Sequence, residues 1–128
     1  MSDEIEVLVL DDESIVCERL KDYLEKRGIS VETFTDSRTA LSRLEEKEFD
    51  VIVTDLKMGG PTGIDVLVSV KKSGYKSEVI IITGYGSIET SRDAEFGGAY
   101  AFIHKPFQMS DIHKLIKKAA KKASKHSN

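Results

Sequence analysis

The sequence has one cysteine, no tryptophan and only two prolines, and its apolar runs are short. A single cysteine, Cys17, cannot close an internal disulfide, and its position in a helical apolar pattern favours a small buried side chain over a reactive thiol. No apolar run reaches the length of a signal or membrane-spanning segment, and the first residues are acidic. We therefore expect a cytoplasmic domain with no disulfide and no membrane segment.

The chain length of 128 residues is enough for one domain with a single core, and the 40% hydrophobic and 32% charged content is that of a globular protein. Lysines recur from Lys114 to Lys125, mostly opposite the apolar stripe of the last predicted helix. We interpret them as a solvated face and expect no direct nucleic-acid binding, because no recognised DNA or RNA motif accompanies them. The domain is expected to span residues 1–123, with residues 124–128 frayed.

Five apolar segments alternate with helical patterns and predict five strands and five helices. The runs at 51–53 and 79–82 lack polar alternation, which is typical of central strands covered on both faces. The half-buried alternation at 31–35 instead predicts an edge strand. This order implies an α/β fold, in which right-handed crossovers place helices on both faces of a parallel sheet.

Polar residues follow four of the predicted strands. Asp11 and Asp12 follow the first strand, Asp55 the third, Thr83 the fourth and Lys105 the fifth. Because parallel strands point the same way, their carboxyl ends should bring these side chains together. Each residue also has a simpler interpretation as a helix cap, a strand end or a solvated turn residue, but four such coincidences at one edge are much less expected than one.

Three carboxylates at one edge repel each other unless a cation neutralises them, and an all-oxygen site favours a hard ion such as Mg²⁺. An acidic cluster with one lysine and one hydroxyl suits phosphoryl transfer. In this interpretation Asp55 is the nucleophile, Lys105 offsets charge on the phosphoryl oxygens, and Thr83 hydrogen-bonds the transferred group.

The residues at these positions resemble the response regulator receiver domain of two-component signal transduction, the CheY-like superfamily. The resemblance extends from residue 5 to about residue 120, and its motifs are Asp11-Asp12, Asp55-Leu56-Lys57-Met58, Thr83-Gly84 and Lys105-Pro106-Phe107. It implies a doubly wound, flavodoxin-like sheet of order 2-1-3-4-5 with five helices on two faces. It also implies a phospho-acceptor domain that is not an enzyme, although such a domain contributes to its own phosphorylation and dephosphorylation.

The resemblance further implies a role for each site residue. Asp55 would accept a phosphoryl group from a phosphohistidine in a Mg²⁺-dependent reaction. Asp12, Asp55 and the backbone carbonyl of Lys57 would ligate the metal directly, and Asp11 would act largely through water. Lys105 would bind the phosphoryl group and precede a cis peptide bond to proline.

Signal output would depend on a switch that responds to the phosphoryl group. In the family, a residue at the position of Thr83 moves toward the phosphoryl group and an aromatic at the position of Phe102 turns inward behind it. The output surface would comprise the fourth predicted helix, the fifth strand and the fifth predicted helix. The implied partners are a sensor histidine kinase or phosphotransfer protein and a downstream effector domain or protein. A phosphorylation-linked homodimer is left open.

Three other functions share part of this pattern. A haloacid-dehalogenase-like phosphatase is disfavoured because Lys57 stands where its acid/base aspartate would lie. A flavodoxin is disfavoured because the first strand leads into an acidic loop rather than a phosphate-binding one. A degenerate receiver that acts as a phosphorylation-independent docking module remains, although the intact acidic and lysine set argues against it. One departure from the family pattern is that Gly59-Gly60 separate the acceptor loop from Pro61.

Overall fold

A computed structural model of the chain describes residues 4–56, 62–84 and 98–123. The strands are β1 (Glu6–Leu10), β2 (Ser30–Phe34), β3 (Val51–Asp55), β4 (Glu78–Thr83) and β5 (Ala101–His104). The helices in these ranges are α1 (Ser14–Glu25), α2 (Ser37–Glu46), α3 (Gly63–Lys72) and α4 (Met109–Ala123). The fourth helix predicted from the sequence, between the fourth and fifth strands, lies outside the described residues, as do the Gly59-Gly60 segment and the predicted frayed end at 124–128.

The five strands form one parallel sheet of order β2-β1-β3-β4-β5. This is the strand order that the family resemblance implied, and it puts β2 at an edge, as its half-buried pattern predicted. β3 and β4 are buried along their whole length. The α/β class and the sheet order are therefore confirmed, while the described residues contain four helices rather than the five predicted.

Side chains of the central strands alternate between the two faces of the sheet. Val51 and Val53 pack with Ile112 on the face covered by α1 and α4. Ile52 packs with Val66 on the opposite face, under α2 and α3. All five are fully buried, and burial of each side chain contributes about 1.5–3 kcal/mol. A strand covered on both faces has no position for polar alternation, which explains the continuous apolar runs.

The amphipathic last helix, α4, lies where its sequence pattern predicted. Ile112, Ile116, Ala119 and Ala123 are buried against the sheet, and the lysines alternate with them on the exposed side. Lys117 and Lys121 are exposed examples. Within the described residues, no helix combines the length and the apolar character that a membrane crossing requires.

The starts of α2 and α3 show how capping sets helix boundaries. At α2 the N-cap is Asp36 rather than the neighbouring Ser37: the Asp36 side chain accepts from the N–H of Thr39 over 3.2 Å. At α3 the Thr62 hydroxyl accepts from the N–H of Asp65, and the Asp65 carboxylate accepts from the N–H of Thr62 over 2.8 Å. This reciprocal capping box satisfies two N–H groups that the helix itself cannot pair.

A Thr62→Ala variant is expected to lose about 1 kcal/mol of unfolding free energy, because the N–H of Asp65 loses its acceptor. Urea unfolding followed by circular dichroism measures this loss. Thr62→Ser keeps the hydroxyl and should retain most of the stability. Equal midpoints for the alanine and wild-type proteins would show that the box does not stabilise α3.

Candidate functional site

The carboxyl ends of the parallel strands lie at one edge of the sheet and carry polar residues there. Asp11 follows β1, Asp55 ends β3, Thr83 ends β4 and Lys105 follows β5. The N–H of Lys105 donates to the carbonyl of Thr83 over 2.9 Å, which joins the ends of β4 and β5 directly. The fold thus brings together residues that are far apart in the sequence, as the strand directions predicted.

Three carboxylates form an acidic cluster at this edge. Asp11, Asp12 and Asp55 each contribute one oxygen, and these oxygens lie within 4.8 Å of one another. Asp11 is fully buried and held in place, since its Oδ1 accepts from the N–H of Glu13 over 2.8 Å and its own N–H donates to the carbonyl of Phe34. Asp12 is exposed. Hydrogen bonds therefore fix Asp11 on the buried side of the cluster, and the side that carries Asp12 is open to solvent.

The Asp55 carboxylate is in an environment that disfavours its charge. Burial raises the pKa of Asp55, the neighbouring charge of Asp11 raises it further, and Lys105 partly opposes both effects. A carboxylate held in this way gains from any additional cation placed beside it. The electrostatics of Asp55 therefore favour the binding of a positive ion at the acidic cluster.

Lys105 lies among three carboxylates. Its Nζ is 2.9 Å from Glu13 Oε1, 3.4 Å from Asp55 Oδ2 and 3.0 Å from Asp11 Oδ2, the last being an ionic contact outside hydrogen-bond geometry. Burial acts to lower the pKa of Lys105, but the hydrogen bond to Glu13 and the negative charges of Asp11 and Asp55 outweigh it and raise that pKa. Lys105 is thus a permanent positive charge beside Asp55. Its peptide bond to Pro106 is cis, as the resemblance implied.

The donor set of the acidic cluster fits a hard divalent cation. All three groups are carboxylates, and one ammonium cannot balance three negative charges. Oxygens that ligate one Mg²⁺ at about 2.1 Å lie roughly 3–4 Å apart. The carboxylate oxygens here lie within 4.8 Å of one another, so small rotations of the side chains would bring them to ligating distance. The carbonyl of Lys57, the remaining predicted ligand, lies outside the described residues.

A cavity of about 900 Å³ gives solvent access to this cluster. Asp12, Asp55, Thr83 and Lys105 line its polar part, and the half-exposed side chain of Ile15 lies at its apolar rim. Thr83 itself is only 2% exposed, so its backbone and side chain form part of a packed wall. The acidic cluster is therefore open to a phosphorylated group presented from outside.

Two other residues singled out from the sequence lie behind this site. Phe102 is partly buried and packs against the core on the α2 and α3 face. Cys17 is 3% exposed, and its thiol donates to the carbonyls of Asp11 and Phe34 over 3.4 and 3.5 Å. Burial raises the pKa of the Cys17 thiol, and the charge of Asp11 raises it further. The interpretation of Cys17 as a small buried side chain agrees with this environment.

Sequence reasoning missed two residues of the site. Glu13 forms the shortest of the three Lys105 contacts, although the sequence offered only its position one residue after the paired aspartates. Gly63 begins α3, and a Cβ built there would lie 2.6 Å from the carbonyl oxygen of Asp55. The glycine and proline content of residues 59–63 is typical of a loop, but it provides no reason to connect Gly63 with the acceptor strand.

The sheet order, with carboxylates and one lysine at its carboxyl edge, is the arrangement that the family resemblance implied. The chain belongs to the response regulator receiver domain family, whose sequence profile matches residues 7–117. Phosphorylation and Mg²⁺ binding are general properties of this family. Its members are signalling domains of two-component systems rather than classical enzymes.

Named relatives and solved structures agree with this membership. The chain is 32% identical over 117 residues to the transcriptional regulatory protein ZraR of Escherichia coli K12, which covers 91% of this chain and 26% of ZraR. A CheY-like receiver from Methanospirillum hungatei JF-1 superposes with a TM-score of 0.91 at 27% identity, over 97% of this chain and 99% of that one. The beryllofluoride-activated NtrC4 receiver domain dimer has a TM-score of 0.86 at 36% identity, over 93% and 98% of the two chains.

The chain spans about a quarter of the length of the curated relatives that it matches. ZraR and its counterparts therefore contain much sequence that has no equivalent here. Their printed description as transcriptional regulatory proteins applies to those whole proteins. What transfers to this chain from the matched segment is the receiver fold and family.

Proposed function

We propose that this protein is a phosphorylation-activated signalling switch in which Asp55 accepts a phosphoryl group from a phosphohistidine. One observation carries the proposal: Asp55 belongs to the acidic cluster, lies 3.4 Å from the Lys105 ammonium and lines an open cavity. A nucleophile, a fixed cation and a cation-binding oxygen set at one strand end are the parts that phosphoryl transfer requires. The donor would be a sensor histidine kinase or a phosphotransfer protein in the cytoplasm.

In the transfer step, an Asp55 carboxylate oxygen attacks phosphorus in line with the leaving nitrogen. The new O–P bond forms as the P–N bond of the phosphohistidine breaks, and the imidazole leaves with the electron pair. Lys105 binds a phosphoryl oxygen and offsets its charge. Asp12, Asp55 and the Lys57 carbonyl would hold Mg²⁺ directly, and Asp11 would act largely through water. When bound, the metal neutralises further charge on the phosphoryl oxygens.

Activation then depends on the wall of the cavity next to Asp55. Thr83 ends the adjoining strand β4 and lines the cavity beside Asp55, which supports a role for its hydroxyl as a hydrogen-bond donor to the added phosphoryl group. Phe102 lies on β5, where its register partner on β4 is Ile81. We expect it to repack behind Thr83 on activation. The output surface comprises β5, α4 and the fourth helix predicted from the sequence, and it would contact an effector domain, an effector protein or a second copy of the chain.

A docking module that works without phosphorylation is the alternative, and it requires the same fold. Intact mass spectrometry of the wild-type protein, after incubation with Mg²⁺ and acetyl phosphate, separates the two. We expect a gain of one phosphoryl group, and borohydride reduction followed by peptide sequencing should map it to Asp55. A protein that remains unmodified while a known receiver is labelled under the same conditions would leave the docking module as the better account.

A further inference from the structure

The three carboxylates around Lys105 are not equivalent. Asp11 is fully buried and its Oδ1 is already held by a backbone N–H, and Asp55 is 8% exposed. The Glu13 side chain is 58% exposed, yet it makes the shortest contact to Lys105 Nζ, at 2.9 Å. Within the described residues, Lys105 is the one group that pairs with the Glu13 carboxylate.

The geometry of an ammonium group limits how many partners Lys105 can keep. Its three N–H groups face three carboxylates: Glu13 and Asp55 accept hydrogen bonds, and Asp11 Oδ2 lies in ionic contact at 3.0 Å. A phosphoryl oxygen that binds the ammonium therefore competes with these oxygens for it. Asp55 would carry the phosphoryl group and stays beside Lys105, and Asp11 is buried. Glu13 is therefore the partner that can leave, because its carboxylate regains water on release.

The backbone of Glu13 can stay in place while its side chain leaves. Its N–H donates to Asp11 Oδ1 over 2.8 Å, and its carbonyl accepts from the N–H of Val16 at the start of α1. The side chain makes no capping hydrogen bond, although Glu13 is the N-cap residue of this helix. Release of the carboxylate therefore needs no change in α1.

From these contacts we propose that Glu13 occupies the place of a phosphoryl oxygen on Lys105 in the unphosphorylated protein, and that phosphorylation displaces it. Glu13 is a positioning residue, since it acts through Lys105. This inference rests on the proposed acceptor function of Asp55. Phosphoryl binding at Asp55 then breaks the Glu13–Lys105 contact, and this contact therefore weakens the binding.

Two substitutions separate this role from a simple charge effect. Glu13→Ala removes both the contact and the negative charge. Glu13→Asp keeps the charge, but its shorter side chain is suited to cap the N–H groups of α1 and no longer reaches Lys105. Glu25→Gln, at the other end of the same helix and about 18 Å away along its axis, removes one negative charge as Glu13→Ala does and serves as the control.

The test is the affinity of each protein for beryllofluoride, an inert phosphoryl mimic, in the presence of Mg²⁺, measured by fluorine NMR titration. We expect the alanine and aspartate variants of Glu13 both to bind about two- to fivefold more tightly than wild type, the range that an exposed ion pair supports. Glu25→Gln should match wild type. Urea unfolding of each variant checks that the fold is retained.

The outcomes are distinct. Tighter binding by Glu13→Ala with wild-type binding by Glu13→Asp would mean that only the charge at the cavity mouth matters, and it would overturn the proposal. Unchanged affinity in both variants would overturn it as well, while leaving the acceptor function of Asp55 intact. If the wild type itself bound no beryllofluoride, the proposed function would fail first, and the inference would fail with it.

Discussion

An Asp55→Asn variant is expected to gain no phosphoryl group from acetyl phosphate and Mg²⁺, under conditions in which the wild type gains one. The side-chain amide lacks the carboxylate oxygen that attacks phosphorus, so the rate should fall by about a hundredfold or more. The variant should fold normally, because asparagine has nearly the same shape and the substitution removes a charge that burial disfavours. Intact mass spectrometry measures the result.

The matched control is Asp22→Asn, the same chemical change on an exposed residue of α1 that pairs with Lys26. It should be labelled like wild type. Omission of Mg²⁺ should also abolish labelling of the wild type, because Asp11 and Asp12 would then add uncompensated negative charge beside the donor. Equal labelling of the Asp55→Asn and wild-type proteins would show that another residue is the acceptor.

A Gly63→Ala variant is expected to be destabilised by about 1–3 kcal/mol, the cost of overpacking a close-packed interior. The new Cβ would lie 2.6 Å from the Asp55 carbonyl oxygen and 3.1 Å from the Leu56 Cα. Both neighbours are backbone atoms in a buried segment, so rotation of a side chain cannot relieve the clash. The N–H of Gly63 also donates to the Leu56 carbonyl over 2.9 Å, which holds the two segments together.

The same substitution should slow phosphorylation, because the backbone that has to yield carries the acceptor. Chemical denaturation and the rate of mass gain are the two measurements. Lys72→Ala is the control, since it introduces alanine on an exposed turn of the same helix and should change stability by less than about 0.5 kcal/mol. A Gly63→Ala protein as stable as wild type would contradict the steric argument, since alanine is intrinsically the better helix former.

Much of the fold could be predicted from local patterns. The apolar runs of β3 and β4 have no polar alternation because both faces are covered, and this is visible without coordinates. The start of α2 shows the limit of such reasoning: Asp36 and Ser37 are both good capping residues, and backbone geometry decides between them. Element type follows from periodicity, whereas the exact boundary depends on a few hydrogen bonds.

Part of the candidate site could also be predicted, from the direction of the strands rather than from apolar periodicity. Asp11, Asp55, Thr83 and Lys105 each follow an apolar run, and parallel strands force such positions to one edge. No comparable rule indicated that Gly63 lies against the carbonyl of Asp55, because that contact depends on how α3 returns onto the sheet. The roles of the predicted residues in phosphoryl transfer stay predictions until the variants are measured.

By its own pattern, the sequence determined an α/β domain with buried central strands and a set of acids and one lysine at the strand ends. The tertiary structure alone decided which of these groups touch. Lys105 and Glu13 are 92 residues apart, and their 2.9 Å contact depends on the crossovers that place β5 and α1 beside the same cavity. Apolar periodicity reflects which side of an element is buried. The spatial distance between two side chains that are far apart in sequence depends instead on the packing of every element between them.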